Sequence, residues 1–187
     1  MTAVKIGSKL LALSVLLTLG ARGLLAQSQV ISLAATTPGN LSVTLQSGAV
    51  QTIALVTDNA INNFPTPVVI RTDWNLNPGQ TNTLNLVAYF SIPAQAMAGG
   101  AVQIPSSRIQ GRMTTGLPVA FTPITQNAIG GVGSAGGSLA LFSIPIGGSN
   151  KNSSRTDNLD LRLNLVGLPT LPAGAYTGVL NIRAVTQ

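Results

Sequence analysis

Beyond residue 28 the apolar positions recur at a spacing of two, in short runs broken by Gly, Pro and Asn. Leu41, Val43 and Leu45 alternate with Ser42 and Thr44, and Leu159, Leu161, Leu163 and Leu165 alternate with Asp160, Arg162 and Asn164. Such alternation sends one set of side chains to a buried sheet face and the other to water. Wound as a helix, the four leucines would scatter round the axis. The pattern predicts strands over 29–34, 41–46, 50–57, 67–75, 83–91, 101–104, 107–114, 118–123, 138–146, 158–167 and 176–186. Turn signals separate them, among them Thr37–Asn40, Asn62–Pro65, Asn77–Gln80, Ala98–Gly100 and Pro172–Gly174. All 11 prolines lie from Pro38 onward, and proline inside a helix costs about 3 kcal/mol, so long helices are not expected there. Many short strands without intervening helices read as an antiparallel sandwich or barrel. No stretch reads as a linker, so 27–187 is taken as one domain.

Residues 1–26 follow another pattern. Lys5 and Lys9 precede an apolar run, Leu10–Leu19, interrupted only by Ser14 and Thr18, and Ala26 then meets polar Gln27. A basic start, a short apolar core and a small residue before a polar one describe a secretory signal peptide. Cleavage is expected between Ala26 and Gln27. The run is too short to span a membrane, which takes about 20 residues.

Composition changes the picture in two ways. Only 7% of the 187 residues are charged, there is no Cys and no His, and the four acids are all Asp. Thiol and imidazole nucleophiles and His/Cys metal sites are therefore excluded. The formal net charge of +6 drops once Lys5, Lys9 and Arg22 leave with the signal: seven basic residues against four Asp make +3. The seven are scattered and not interleaved with aromatics, unlike a nucleic-acid surface. A weakly charged surface wetted by Asn, Gln, Ser and Thr favours association.

Candidate chemistry is sparse. Asp58, Asp73, Asp157 and Asp160 read as solvated strand or turn positions rather than an acid/base pair. The oxygens between Asn150 and Asp160 suggest a calcium loop, but Lys151 and Arg155 interrupt them. Trp74, Tyr89, Phe90, Phe121, Phe142 and Tyr176 read as core and corner residues, Trp74 above all, rather than as a sugar-stacking platform. Asn40 and Asn152 head N-x-Ser sequons. Residues 127–137, with five glycines, read as a mobile connection, and 147–158, the most polar stretch, as a surface loop. No catalytic residue, cofactor or metal site is expected, and the chain does not read as an enzyme.

The ends of the mature chain carry more. The tail from Gly174 runs through Tyr176 into a strand that reaches the terminus, with Leu180, Ile182 and Ala184 on its inward face. At the other end Val30, Ile31 and Leu33 lie in a short apolar strand. A terminal strand must find a partner or leave an edge, and strand donation between subunits supplies one through main-chain hydrogen bonds.

The segment Leu171–Ala184, with Gly174, Tyr176 and Gly178 ahead of a final alternating strand, resembles the closing segment of bacterial fimbrial-type immunoglobulin-like subunits, including the spore-coat-U-like group. The stretch from Thr72 to Gly79, continuing to Leu86–Phe90, also looks like secreted bacterial proteins sharing that tail. The chain departs from pilins at Thr186, where they usually carry Tyr, and in lacking their common disulfide. The resemblance implies an all-β, antiparallel immunoglobulin-like sandwich behind a cleaved signal-peptide helix. It implies a structural protein that is secreted, periplasmic or on the cell surface and associates with itself or with envelope proteins through its terminal strands. The alternative is a self-complete binding module for glycan or cell wall, using the 127–137 and 147–158 loops. Neither reading requires nucleic acid, a cofactor or a membrane span after signal removal.

Overall fold

The computed structural model describes residues 27–36, 41–55, 59–76, 83–99, 102–168, 171–172 and 174–187. The expected signal peptide with its Ala26 junction lies outside them, as do Asp58 and Asn40. The described chain folds into two sheets packed face to face, with short 3-10 turns and no α-helix among the described residues.

The strands in chain order are β1 Gln27–Thr36, β2 Leu41–Ser47, β3 Val50–Leu55, β4 Ile61–Asn63, β5 Val68–Asn75, β6 Thr83–Tyr89 and β7 Met97–Gly99. They continue with β8 Val102–Ile104, β9 Ile109–Met113, β10 Thr122–Pro123, β11 Ser138–Pro145, β12 Asn152–Asn164 and β13 Tyr176–Thr186. One sheet runs β11-β6-β13-β1-β3, with β7 and β8 appended beside β13. The other runs β10-β9-β12-β5-β2, with β4 added along β12. All pairings are antiparallel except that between β1 and β13.

The alternation in the sequence has become the two inner faces. Leu159, Leu161 and Leu163 of β12, with Leu165 just beyond, are buried against Leu84, Leu86, Leu139, Leu141, Leu180 and Ile182 from the opposite sheet. Each such fully buried aliphatic side chain contributes about 1.5–3 kcal/mol over its exposed state. Trp74 is buried as expected, and its Nε1 donates to the Asn150 carbonyl at 2.8 Å. That bond satisfies the one polar atom of the ring inside the core.

Several expectations need correction. Residues 152–158 are not loop but the first half of β12, paired residue by residue with β5 from Asn152 opposite Asn75 to Leu159 opposite Val68. This half escapes an apolar pattern because Arg155 and Asp157, which occupy inward positions, pair with each other. Residues 118–121 are irregular, and only Thr122 and Pro123 of the expected strand pair, with β9. Strands β4 and β7 are too short to display any alternation. The 127–137 segment is not a free connection. Ile129 and Val132 exchange main-chain bonds at 2.8 and 2.9 Å, and the Ser138 hydroxyl receives the Ser134 amide and donates to the Ser134 carbonyl, both at 2.9 Å. Glycines at positive φ, such as Gly130 and Gly131, make these tight reversals accessible.

Gly178 shows how closely the segment entering β7 lies against β13. A Cβ there would run into the Ala96 carbonyl oxygen, which is backbone and cannot swing aside. Gly148, by contrast, has open space around its Cβ position. Gly178→Ala should destabilise the fold by about 1–3 kcal/mol while Gly148→Ala leaves it within about 0.5 kcal/mol, as read from urea unfolding midpoints. Equal midpoints would contradict the packing described.

Candidate functional site

The two ends of the described chain lie side by side. β1 occupies the width of one strand between β13 and β3, parallel to the first and antiparallel to the second. Along β13 the register runs from Gln29 opposite Tyr176 to Thr36 opposite Arg183, and along β3 from Gln27 opposite Leu55 to Ser32 opposite Val50. A further bond, Leu33 N–H to the Ala49 carbonyl at 3.0 Å, continues the β3 side. Among the described residues β3 has no ladder except that with β1. The backbone of β1 therefore joins β3 to the rest of its sheet.

The walls of this slot follow from local sequence. Tyr176 enters the core as the first residue of β13, and its hydroxyl donates to the Pro172 carbonyl at 3.0 Å. Leu180, Ile182 and Ala184 alternate inward from there and are buried. On the far side Gln51 is buried, donating from Nε2 to the Gly48 carbonyl at 3.0 Å and accepting from the Thr66 hydroxyl at 3.4 Å. These bonds lie outside β1, so β3 keeps its own anchorage. Into the slot β1 puts Ile31, fully buried opposite Gly178 and Gln51, and Leu33, half-buried opposite Leu180. Val30 stands at a register position opposite Thr177 and Thr52.

The structure thus brings together Ile31, Leu33, Tyr176, Leu180, Ile182 and Ala184, all singled out from the sequence. Gly174 lies in the approach to the corner, and Gln27 is the first residue of β1. The slot is uncharged. β1 and β3 carry no charged side chain, and the one charged side chain of β13, Arg183, is exposed. Adhesion here rests on main-chain hydrogen bonds and apolar burial, which salt barely screens.

The other candidates sort differently. Asp73 pairs with Arg71 at 2.7 Å on the outer face. The Arg71 guanidinium, chiefly through its hydrogen bonds, holds that carboxyl below the usual aspartate range, and Asp73 in turn raises Arg71. Asp160 meets Arg112 at 2.6 Å. Asp157, expected in water, is fully buried, and receives Arg155 Nε at 2.6 Å and the Thr115 hydroxyl at 2.7 Å. Each described carboxylate is thus engaged by a different arginine, and no two form an acid/base pair. The oxygens of 152–160 lie on an extended strand, which sends alternate residues to opposite faces. They cannot converge on one calcium ion. Among the described residues no group of three acidic side chains could hold a metal.

Of the aromatics, Phe64, Trp74, Phe90, Phe142 and Tyr176 are buried, while Tyr89 and Phe121 are half-buried, so no stacking platform forms among the described residues. Sequence reasoning missed two arrangements. Arg155 lies over the Phe142 ring at 4.3 Å, and Arg112 and Arg162 lie over the Phe121 ring at 4.6 and 4.2 Å. The partners stand far apart in the chain, and no periodicity links them.

No protein-family model matches this chain, and no curated protein does either. Among the described residues no helix is long and apolar enough to cross a membrane.

Removing Asp157 leaves the Arg155 guanidinium, three-quarters withdrawn from water, without its carboxylate. Asp157→Ala should destabilise by about 3 kcal/mol, the low end for breaking a buried pair. Asp73→Ala, on the exposed face, should cost under 1 kcal/mol. Chemical denaturation of the two variants checks the contrast, and a harmless Asp157→Ala would contradict it.

Proposed function

We propose that this chain is an exported, non-enzymatic structural surface protein of fimbrial-subunit type, whose copies associate through their terminal β-strands. The observation that carries the reading is the position of β1. It begins at the expected cleavage junction, sits in a slot between β3 and β13, the strand at the other end of the chain, and supplies the only ladder to β3 among the described residues. A strand of this kind makes the same hydrogen bonds whether it comes from its own chain or a neighbour's, so exchange between identical copies has a low thermodynamic cost. Its pairing to β13 is parallel, the slightly weaker geometry per residue. The uncharged slot suits repeated like-to-like contacts, and the sparse surface charge resists association little. The tail resemblance to fimbrial-type subunits agrees with this use of the termini.

A second reading, a self-complete binding module for glycan or cell wall, is favoured by one specific observation. β1 is paired along both of its edges within its own chain, so the described domain needs no donated strand.

The two readings part on removal of residues 27–36. Under the assembly reading the full chain forms concentration-dependent oligomers, largely insensitive to salt. The shortened chain accepts a strand but donates none, so mixing it in shortens the assemblies. Size-exclusion chromatography with light scattering reads this directly. A full chain that stays monomeric at every concentration, or a shortened chain that polymerises unaided, would sink the assembly reading.

A further inference from the structure

On the outer face of the second sheet, three strands present a charged and amidic group around Arg162. In the register of the sheet Arg162 stands opposite Gln110 of β9 on one side and Asn63 of β4 on the other. Its Nε donates to the Gln110 side-chain oxygen at 2.6 Å, and its guanidinium lies over Phe121. Arg112 shares that ring but is held by Asp160 at 2.6 Å. Two guanidiniums thus crowd one aromatic ring with a single carboxylate between them. Arg162 has no carboxylate partner among the described residues. Its side chain is nevertheless held in place, by Phe121 beneath and Gln110 beside it. Such a cation loses little freedom on binding an anion.

Beside this pair opens a hollow of about 360 Å³, lined by Asn63, Phe64, Arg112, Phe121, Asp160 and Leu161. Its polar chemistry is mixed. Asn63 offers both a donor and an acceptor, Asp160 an acceptor, and Phe121 an apolar edge. Asp160 opposes any ligand of dense negative charge such as a polyphosphate or sulfated chain, but accepts hydrogen bonds from neutral hydroxyls. Arg162 does not line the hollow itself but shares the Phe121 ring with Arg112, which does, and its guanidinium, without a carboxylate partner among the described residues, can take one planar carboxylate. A hydroxyl-rich ring bearing a single carboxylate satisfies both halves of the site.

We infer that the outer sheet face around Arg162 binds an acidic glycan, a uronic-acid residue placing its carboxylate on Arg162 and its hydroxyls toward Asn63 and Asp160. The inference rests on the binding-module reading for its ligand class, and moves the ligand from the loops named in that reading to a sheet face. It does not depend on whether β1 is exchanged, because the site lies on the other sheet.

The test titrates the full chain with trigalacturonate and with its fully methyl-esterified form, which keeps the rings and removes the charge. The acid should bind about tenfold or more tightly than the ester, and the difference should shrink as salt rises. In Arg162→Gln the affinity for the ester should be unchanged and the preference for the acid lost. Arg183→Gln, exposed on the other sheet, should preserve it. A misfolded variant would lose both ligands, so the selective loss identifies the role of Arg162. Equal binding of acid and ester, or a preference surviving Arg162→Gln, would overturn the site while leaving glycan binding standing. Binding of neither would overturn the glycan reading as well. An oligo-aspartate peptide that binds as tightly as trigalacturonate would overturn the sugar specificity.

Discussion

The edges of β13 and β3 face each other across the width of one strand, and each presents main-chain donors and acceptors that cannot be covered without a partner. β1 meets both requirements at once. Its alternate residues Ile31 and Leu33 face the core. Much of the molecule depends on this insertion, because β3 is joined by ladder to its sheet only through it. β3 follows β2 after only Gly48 and Ala49, yet the two strands belong to opposite sheets. β1 therefore helps to secure the crossing between the layers as well as one sheet. The assembly proposal grows from the same constraint, since the required partner is a strand and not a particular chain.

Charge is distributed by a second economy. With so few ionisable groups, each described carboxylate takes one arginine, and the pairs differ by position. Arg71 with Asp73 lies on an exposed face, where such a pair contributes little. Arg155 with Asp157 sits between the sheets, where the loss of one partner is costly. That buried pair lets a polar stretch serve as an interior strand. Arg112 with Asp160 leaves Arg162 without a carboxylate on a face whose other described arginines are paired, and this surplus is what the glycan proposal uses.

How much was legible beforehand follows from the kind of interaction. The alternation of Leu159 to Leu165 and of Leu180, Ile182 and Ala184 was sufficient to place β12 and β13, because burial on one face writes a period of two into the sequence. The apolar character of Ile31 and Leu33 marked β1, though not its neighbours: parallel contact with β13 and antiparallel contact with β3 are long-range facts with no local signal. The first half of β12 reads as loop in the sequence because side-chain polarity hides a strand whose inward charges neutralise one another. The Arg112, Phe121 and Arg162 group was invisible for a similar reason, since its members meet only across the register of β9, β12 and the segment before β10.

The most direct test of the central claim is amide hydrogen exchange across β1 in the monomer, compared with β13. The account predicts that amides of residues 30–33 are protected, because both edges are paired there. They should open in a local event well below the free energy of global unfolding, which residues 180–185 should report. On association the β1 amides should lose this separate opening. If residues 30–33 exchange only by global unfolding, together with β13, then β1 is a permanent part of the core and strand exchange is contradicted. If they show no protection at all in the monomer, the filled slot itself is contradicted.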